Sequence, residues 1–240
     1  MFKVKDMHVM PIDSRSANEF VKRWHYSGKV CQNSQIHFGA MVGKNLVGVL
    51  QYGPSTDKRR MAQNMGCGMN EFLELNRMAL LDSAPKNSES RLIGITLRVL
   101  RKKYPFLRFI ISFADACQCG DGTIYRASGF KLINIKKNSS LLHLPERALK
   151  EVKKYMPKCS KIVSDKSLND IIARKSLDNK TTKGGKYLTS IAKQYGATPI
   201  KGYQMKYVYF FDKEIEKNFK IIPFDKIPDD VKMYKGNKRV

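Results

Sequence analysis

The sequence predicts an α/β fold of the α+β kind, a mixed central β-sheet with helices on its faces. Three observations predict it. Strand-like and helix-like segments follow one another in the order strand, helix, hairpin, strand, helix, strand, short helix, strand. The segment "FLRFIISFADA" (106–116) is apolar almost throughout, the pattern of a strand covered on both faces. The segment "RLIGITLRVLRKKYP" (91–105) carries Leu92, Ile95, Thr96, Val99 and Leu100 at helical spacing, with its basic residues off that stripe.

The elements are justified in order. Residues 3–11 alternate weakly and read as a first strand. Asp13-Ser14 offers an N-cap to a helix over 14–25, whose core stripe is Ala17, Phe20, Val21 and Trp24. Residues 36–53 hold two apolar runs joined by Gly43-Lys44-Asn45, a hairpin signal. Residues 53–70 read as a long polar loop, and 71–82 as the next strand. After the helix and the apolar strand, "TIYRAS" reads as a short helix closed by Gly129, and "FKLINI" as a strand. Residues 145–186 are Lys-rich and read as a basic inserted region of helix or loop outside the core, within a single domain spanning 1–240. Residues 201–212 return to strand character.

The chain has 240 residues, 45 basic against 21 acidic, for a formal net charge of +24. That excess points to a polyanion, with nucleic acid as the first candidate and an anionic membrane surface behind it. No apolar run is long enough to span a bilayer, and the first residues hold no apolar signal core, so the expected location is the cytoplasm. Five scattered cysteines suit reduced thiols rather than a disulfide framework.

Several residues stand out chemically. His25 and Tyr26 close the first helix, where a histidine either serves the helix dipole or acts as a base or ligand. Asp115 ends the apolar strand, at the end of a sheet where ligands bind. Tyr125 lies in the short helix ten residues on, as a core tyrosine or a proton donor. Ser88, Ser90 and Arg91 open the 91–103 helix, whose N-terminal amides suit an anion, and Gly94 lies within "RLIGIT", of the form R-x-x-G-x-T. Arg77 interrupts an apolar strand. Lys58, Arg59, Arg60, Lys183 and Lys186 are candidate phosphate contacts, by default solvated faces. Cys117-Gln118-Cys119 lacks the second pair that a zinc site needs.

With these elements placed, the chain resembles the GNAT (N-acetyltransferase) fold: "GTIYRASGF" parallels its late helix, and "RLIGIT" its R-x-x-G-x-G/A signature, with threonine at the last position. More specifically, "WHYSG", "ELNRMALLD" and "FADACQCGDGTIYRASGF" resemble the Mom family of phage DNA-modification proteins, over roughly residues 20–135. That resemblance implies a transferase converting adenine in DNA to N6-carbamoylmethyladenine, which protects phage DNA from host restriction. It implies His25, Tyr26, Asp115 and Tyr125 as catalytic, with Arg77 and Ser90 beside them, and a dependence on iron, for which His25 and Asp115 are the ligand candidates. The donor is left open between an acyl-CoA and a glycine-derived compound. An amine inside a duplex also calls for base flipping. The alternatives are an acetyl-CoA-dependent acetyltransferase acting on tRNA, protein or a small amine, and a non-enzymatic nucleic-acid binder.

Overall fold

The computed structural model describes residues 2–118, 120–169 and 187–227, and the backbone of 234–235 and 238–239. The described residues divide into two compact units, 1–135 with 205–240, and 136–204. Lys183 and Lys186 lie outside the described residues, as does Cys119.

The first unit is built on a seven-stranded sheet. Its strands are β1 (His8–Pro11), β2 (Ile36–Val42), β3 (Asn45–Gly53), β4 (Phe72–Leu80), β5 (Phe109–Asp115), β6 (Lys131–Lys137) and a late strand, β10 (Tyr203–Phe210). Their order across the sheet is β1-β2-β3-β4-β5-β10-β6. β1 to β4 pair antiparallel, and β4 pairs parallel with β5. The expected strand over 3–11 is a 3₁₀ turn at Val4–Asp6 followed by β1. The hairpin turns at Gly43, which takes φ +57 as a tight turn requires.

Helix α1 (Ser14–Trp24) is capped as expected: the Asp13 carboxylate accepts from Ser16 N at 2.9 Å and Ser16 Oγ at 2.7 Å, a cap worth about 1 kcal/mol. Ala17, Phe20 and Val21 pack on Val49 and Ala79 of the sheet. Trp24, expected in the same stripe, is 40% exposed. The sheet partners lie beneath the middle of α1, so in the last turn Trp24 has Phe20 on one side and Arg23 over its ring. Residues 53–70 are not all loop: Lys58–Met65 form helix α2, ended by Gly66 in the left-handed conformation. Its Met61, Ala62 and Met65 bury against Phe72, Phe109, Ile111, Val208 and Phe210.

Helix α3 (Ser88–Lys103) starts three residues before its expected beginning. Its buried face is Leu92, Ile93, Thr96, Leu97 and Leu100, while Val99 is outside it. The rotation follows from Thr96. Its Oγ1 gives its proton to the Leu92 and Ile93 carbonyls at 3.1 and 2.9 Å and so accepts from the Tyr52 hydroxyl at 2.6 Å. Tyr52 points away from the α1 side, since its neighbour Gln51 donates to Asn18 of α1. Helix α4 (Thr123–Ala127) joins α3 on that second face, with the Tyr125 ring 5.4 Å from Tyr207. Thus α1 and α2 cover one face of the sheet, and α3 and α4 the other.

The β4–β5 ladder is short. It joins Phe72 to Phe109, Leu73 to Ile110 and Glu74 to Ile111. One step on, the contact is a side-chain bond, from Ser112 Oγ to the Leu75 carbonyl at 3.3 Å. Opposite β3, β4 bulges: Gln51 faces Arg77 and Tyr52 faces Leu75, which leaves Asn76 as the extra residue. The sheet therefore splits at the middle of β4.

The second unit has its own core, so the expected surface insertion is a folded body wider than 145–186. Strands β7 (Leu141–His143), β8 (Ile162–Ser164) and β9 (Thr198–Pro199) form a small antiparallel sheet in the order β8-β7-β9. Helices α5 (Glu146–Lys153) and α6 (Tyr187–Gln194) pack on one another and bury Leu142, Leu144, Leu149, Val152, Leu168 and Leu188. Asn138 anchors the entry, donating to Leu141 O and Ile200 O and accepting from the Ser140 and Leu141 amides. A four-residue helix, α7 (Lys213–Glu216), follows β10 in the first unit.

Candidate active site

His25 is the C-cap of α1, and its N–H donates to Val21 O at 3.0 Å. Two residues later the chain turns back on the ring. The Ser27 N–H donates to Nδ1 at 3.2 Å, and Ser27 Oγ lies 2.8 Å from the same nitrogen while accepting from Lys29 N at 3.3 Å. A backbone N–H can only donate, so Nδ1 is the acceptor and the hydrogen-bond network assigns the ring proton to Nε2. Burial, and then the nearby charge of Arg77, pull the imidazole down to about 4, so it is neutral at physiological pH. The exposed Tyr26 ring lies beside it, centroids 4.3 Å apart.

Arg77 is held by two carbonyls, Nε donating to Lys29 O at 3.0 Å and Nη1 to Asn76 O at 2.7 Å. Its charge acts on Glu74 as well as on His25. Burial pushes the Glu74 carboxyl above the usual carboxylate range. Hydrogen bonds donated by Ser55 and Asn76 and the charges of Arg77 and Lys206 oppose that shift without reversing it. The Asn76 amide is itself fixed, its Oδ1 accepting from Ser34 Oγ at 3.0 Å. Lys206 is pushed down by burial, with Glu74 pulling the other way, and its Nζ lies 2.7 Å from Met61 Sδ.

Strand alternation places these groups on one face. Glu74 follows Phe72, and Lys206 precedes Val208, by two residues each, and both hydrophobes pack on α2. Phe113, two residues past Ile111 on that face, is 45% exposed. Beyond the cover of α2, then, Phe113 is uncovered on the face that alternation gives to Glu74 and Lys206, and Glu74 is linked electrostatically to Lys206 and Arg77, and Arg77 to His25. Burial moves Glu74 and Lys206 in opposite directions from their ordinary values, which marks this face as the candidate site.

Asp115 falls on the same face by alternation. Its carboxylate accepts from Cys117 N at 3.1 Å and Gln118 Nε2 at 2.8 Å of its own loop. Tyr125 belongs to the opposite face, buried among Phe130, Tyr207 and the Tyr52–Thr96 pair. Burial raises the Tyr52 phenol and pushes that of Tyr207 up to about 12. The expected constellation is therefore divided by the sheet: His25, Tyr26, Arg77 and Asp115 lie on the α1/α2 side and Tyr125 on the α3/α4 side.

Among the anion-binding candidates, Ser88 is fully buried and its hydroxyl is spent on Pro85 O at 2.6 Å, so it presents nothing to a ligand. Ser90 Oγ donates to Asn87 O at 3.3 Å, and Arg91 is exposed. A Cβ on Gly94 would meet only Arg98 Nη1, at 3.8 Å, so that flank of α3 is open. Lys58, Arg59 and Arg60 form the first turn of α2. The described residues offer no grouped ligand set for iron. Nδ1 of His25 is taken by Ser27, the ring faces a cation, and no group of three or more His, Cys, Asp or Glu side chains among the described residues can hold a metal ion.

Sequence reasoning missed Glu74, Asn76, Lys206, Ser27 and the role of Arg77 between His25 and Glu74. The one signal was the run Glu74-Leu75-Asn76-Arg77, three polar residues on a strand whose neighbours are apolar.

A seven-stranded mixed sheet, split between β4 and β5 and flanked by helices on both faces, is a GNAT-like α/β fold. The chain belongs to the Mom protein family, whose model matches residues 6–228. Methylcarbamoylase Mom of Escherichia phage Mu is 40% identical over 134 residues, 54% of each chain, so the match spans about half of that relative's length. Two similar solved structures illustrate the likeness in fold. The Arabidopsis thaliana NAA60 bisubstrate complex has a TM-score of 0.46 at 9% identity, covering 85% of this chain and 97% of that one. The ribosomal-protein-S18-alanine N-acetyltransferase of Escherichia coli has a TM-score of 0.43 at 8% identity, covering 86% and 94%.

Proposed function

We propose that the protein is a DNA-modifying transferase that places a carbamoylmethyl group on N6 of adenine. The observation that carries this reading is the family match over nearly the whole chain, joined to a relative named as a methylcarbamoylase. The charge of +24 supports a phosphate-rich substrate.

The chemistry asks for three things. The adenine amine must lose a proton as its nitrogen bonds the methylene carbon, the leaving group must depart with the electron pair, and the carboxamide oxygen gains from a hydrogen-bond donor. Glu74, whose carboxyl burial raises, is the proton acceptor in this reading. His25, neutral and protonated on Nε2, is the donor to the oxygen. Arg77, fixed by the Lys29 and Asn76 carbonyls, sets its charge near both, and Asp115 borders the same face. Tyr125 supports the sheet from behind rather than meeting substrate. The flipped base stacks on Phe113 and Tyr26, both exposed. The donor must carry a leaving group on the methylene of a –CH2–C(=O)–NH2 unit, as an activated glycine-derived compound would, since direct attack on an acyl-CoA would put a carbonyl on N6. It enters at the β4–β5 split with its anionic part toward Ser90, Arg91 and Gly94.

The test is restriction. Plasmid DNA from cells expressing the protein is digested with nucleases whose sites contain adenine. Resistance with the wild type, and sensitivity with Glu74→Gln at equal expression, is expected. Full sensitivity with the wild type contradicts the reading.

A further inference from the structure

We propose that the unit 136–204 is the part of the protein that grips duplex DNA, by laying the exposed face of helix α5 along the phosphate backbone; this rests on the reading of the chain as a DNA-modifying enzyme. The charge is concentrated there. Residues 136–204 hold sixteen basic and five acidic side chains, a net +11 over 69 residues, whereas the other 171 carry a net +13. Per residue the small unit is about twice as basic, so it is a charged body and not an average share of a basic surface.

The placement of the described charges has the form a polyanion requires. All eleven described basic residues of the unit are exposed. Two of them pair with carboxylates, Lys154 with Glu151 at 2.7 Å and Lys161 with Glu146 at 3.1 Å; the others meet no carboxylate among the described residues. On α5 the pattern is directional. Ala148, Leu149 and Val152 turn inward, while Arg147, Lys150 and Lys154 recur at three- and four-residue spacing along the outer stripe, with Lys153 beside it and Lys158 just beyond. From 147 to 154 the stripe rises about 10 Å, close to three phosphate steps of one DNA strand. Because the unit buries a core of its own, its side-chain positions are fixed by packing, and the stripe is presented rather than trailing.

Charge complementarity selects the occupant. Mutual repulsion among unpaired cations is relieved by an evenly spaced polyanion, and contacts with backbone phosphates position without reading sequence. Such a grip supplies affinity to a site that lies in the other unit.

The experiment measures binding of a duplex of defined sequence, without donor, as a function of salt. Three full-length proteins are compared: wild type, a variant with Arg147, Lys150, Lys153 and Lys158 changed to Gln, and a control with Arg98, Arg101, Lys102 and Lys103 of α3 changed to Gln. The α5 variant is expected to lose about 3–4 from the slope of log K against log salt, and about 10²–10³-fold in affinity near 0.15 M salt. The control is expected to lose less than one from the slope. Thermal unfolding confirms that each variant is folded. Equal losses in the two variants, or none in the α5 variant while the wild type binds, overturn the proposal and leave the proposed function standing. A wild type that binds anionic phospholipid vesicles but not the duplex overturns both.

Discussion

Ser27 grips His25 from the Nδ1 side, its backbone N–H at 3.2 Å and its hydroxyl at 2.8 Å. The ring is thereby committed to present Nε2–H outward, which suits a donor to oxygen and not a base. His25→Gln, whose side-chain amide also donates, is expected to retain more activity than His25→Ala. The latter should lose about 10²–10³-fold in kcat, the usual cost of one such donor. Single-turnover modification of a duplex measures both. Equal activity of the two variants contradicts the donor role.

Glu74 and His25 move in opposite directions from their ordinary values. If Glu74 is the base, the acid limb of kcat/KM is expected to follow its carboxyl, which burial raises, while His25, neutral down to about 4, is expected to add no limb above that. Glu74→Gln is expected to remove the limb and about 10²–10⁴-fold of the rate while leaving duplex affinity in place. An unchanged pH profile in that variant removes Glu74 from the chemistry.

The same histidine ties stability to pH. Its folded value, about 4, lies below the unfolded 6.5, so the unfolded chain binds more protons between those limits. Stability contributed by the neutral ring is complete above 6.5 and is lost as pH falls toward 4, up to about 3 kcal/mol. Urea unfolding of wild type and His25→Gln across that window measures it. The variant is expected to show the smaller pH dependence.

Two positions on the far face are structural. Thr96→Val leaves the buried Tyr52 hydroxyl without its acceptor and is expected to cost about 1–3 kcal/mol. Gly122 takes φ +83, and a Cβ there would run into the Tyr207 ring, whose hydroxyl donates to Asp121 O at 2.6 Å. Gly122→Ala is expected to destabilise by more than about 2 kcal/mol. Calorimetric unfolding checks both, and a neutral Gly122→Ala contradicts the packing described.

The strands and caps with local causes were legible in the sequence: the Asp13 cap, the Gly43 turn and the apolar run of β5 each depend on residues close in the chain. Helix α2 was hidden because its first turn is Lys58-Arg59-Arg60 after a Gly-Pro step, and its three buried residues become a face only when β5 and β10 lie beneath them. His25, Arg77 and Asp115 were legible as candidates, and strand alternation sets Arg77 and Asp115 on one face. That Tyr125 stands behind the sheet was not, because the face a helix covers depends on the crossing connection and not on local pattern. Glu74 and Lys206 lie 132 positions apart in the chain and meet only through the strand order β4-β5-β10.

Nucleoside mass spectrometry of DNA from cells expressing the protein tests the central claim most directly. Wild type should yield a deoxyadenosine derivative carrying a carboxamide-bearing methylene on N6, absent with Glu74→Gln and strongly reduced with His25→Ala. Unmodified deoxyadenosine with well-expressed wild type, or an N-acetyl group in its place, would contradict the account.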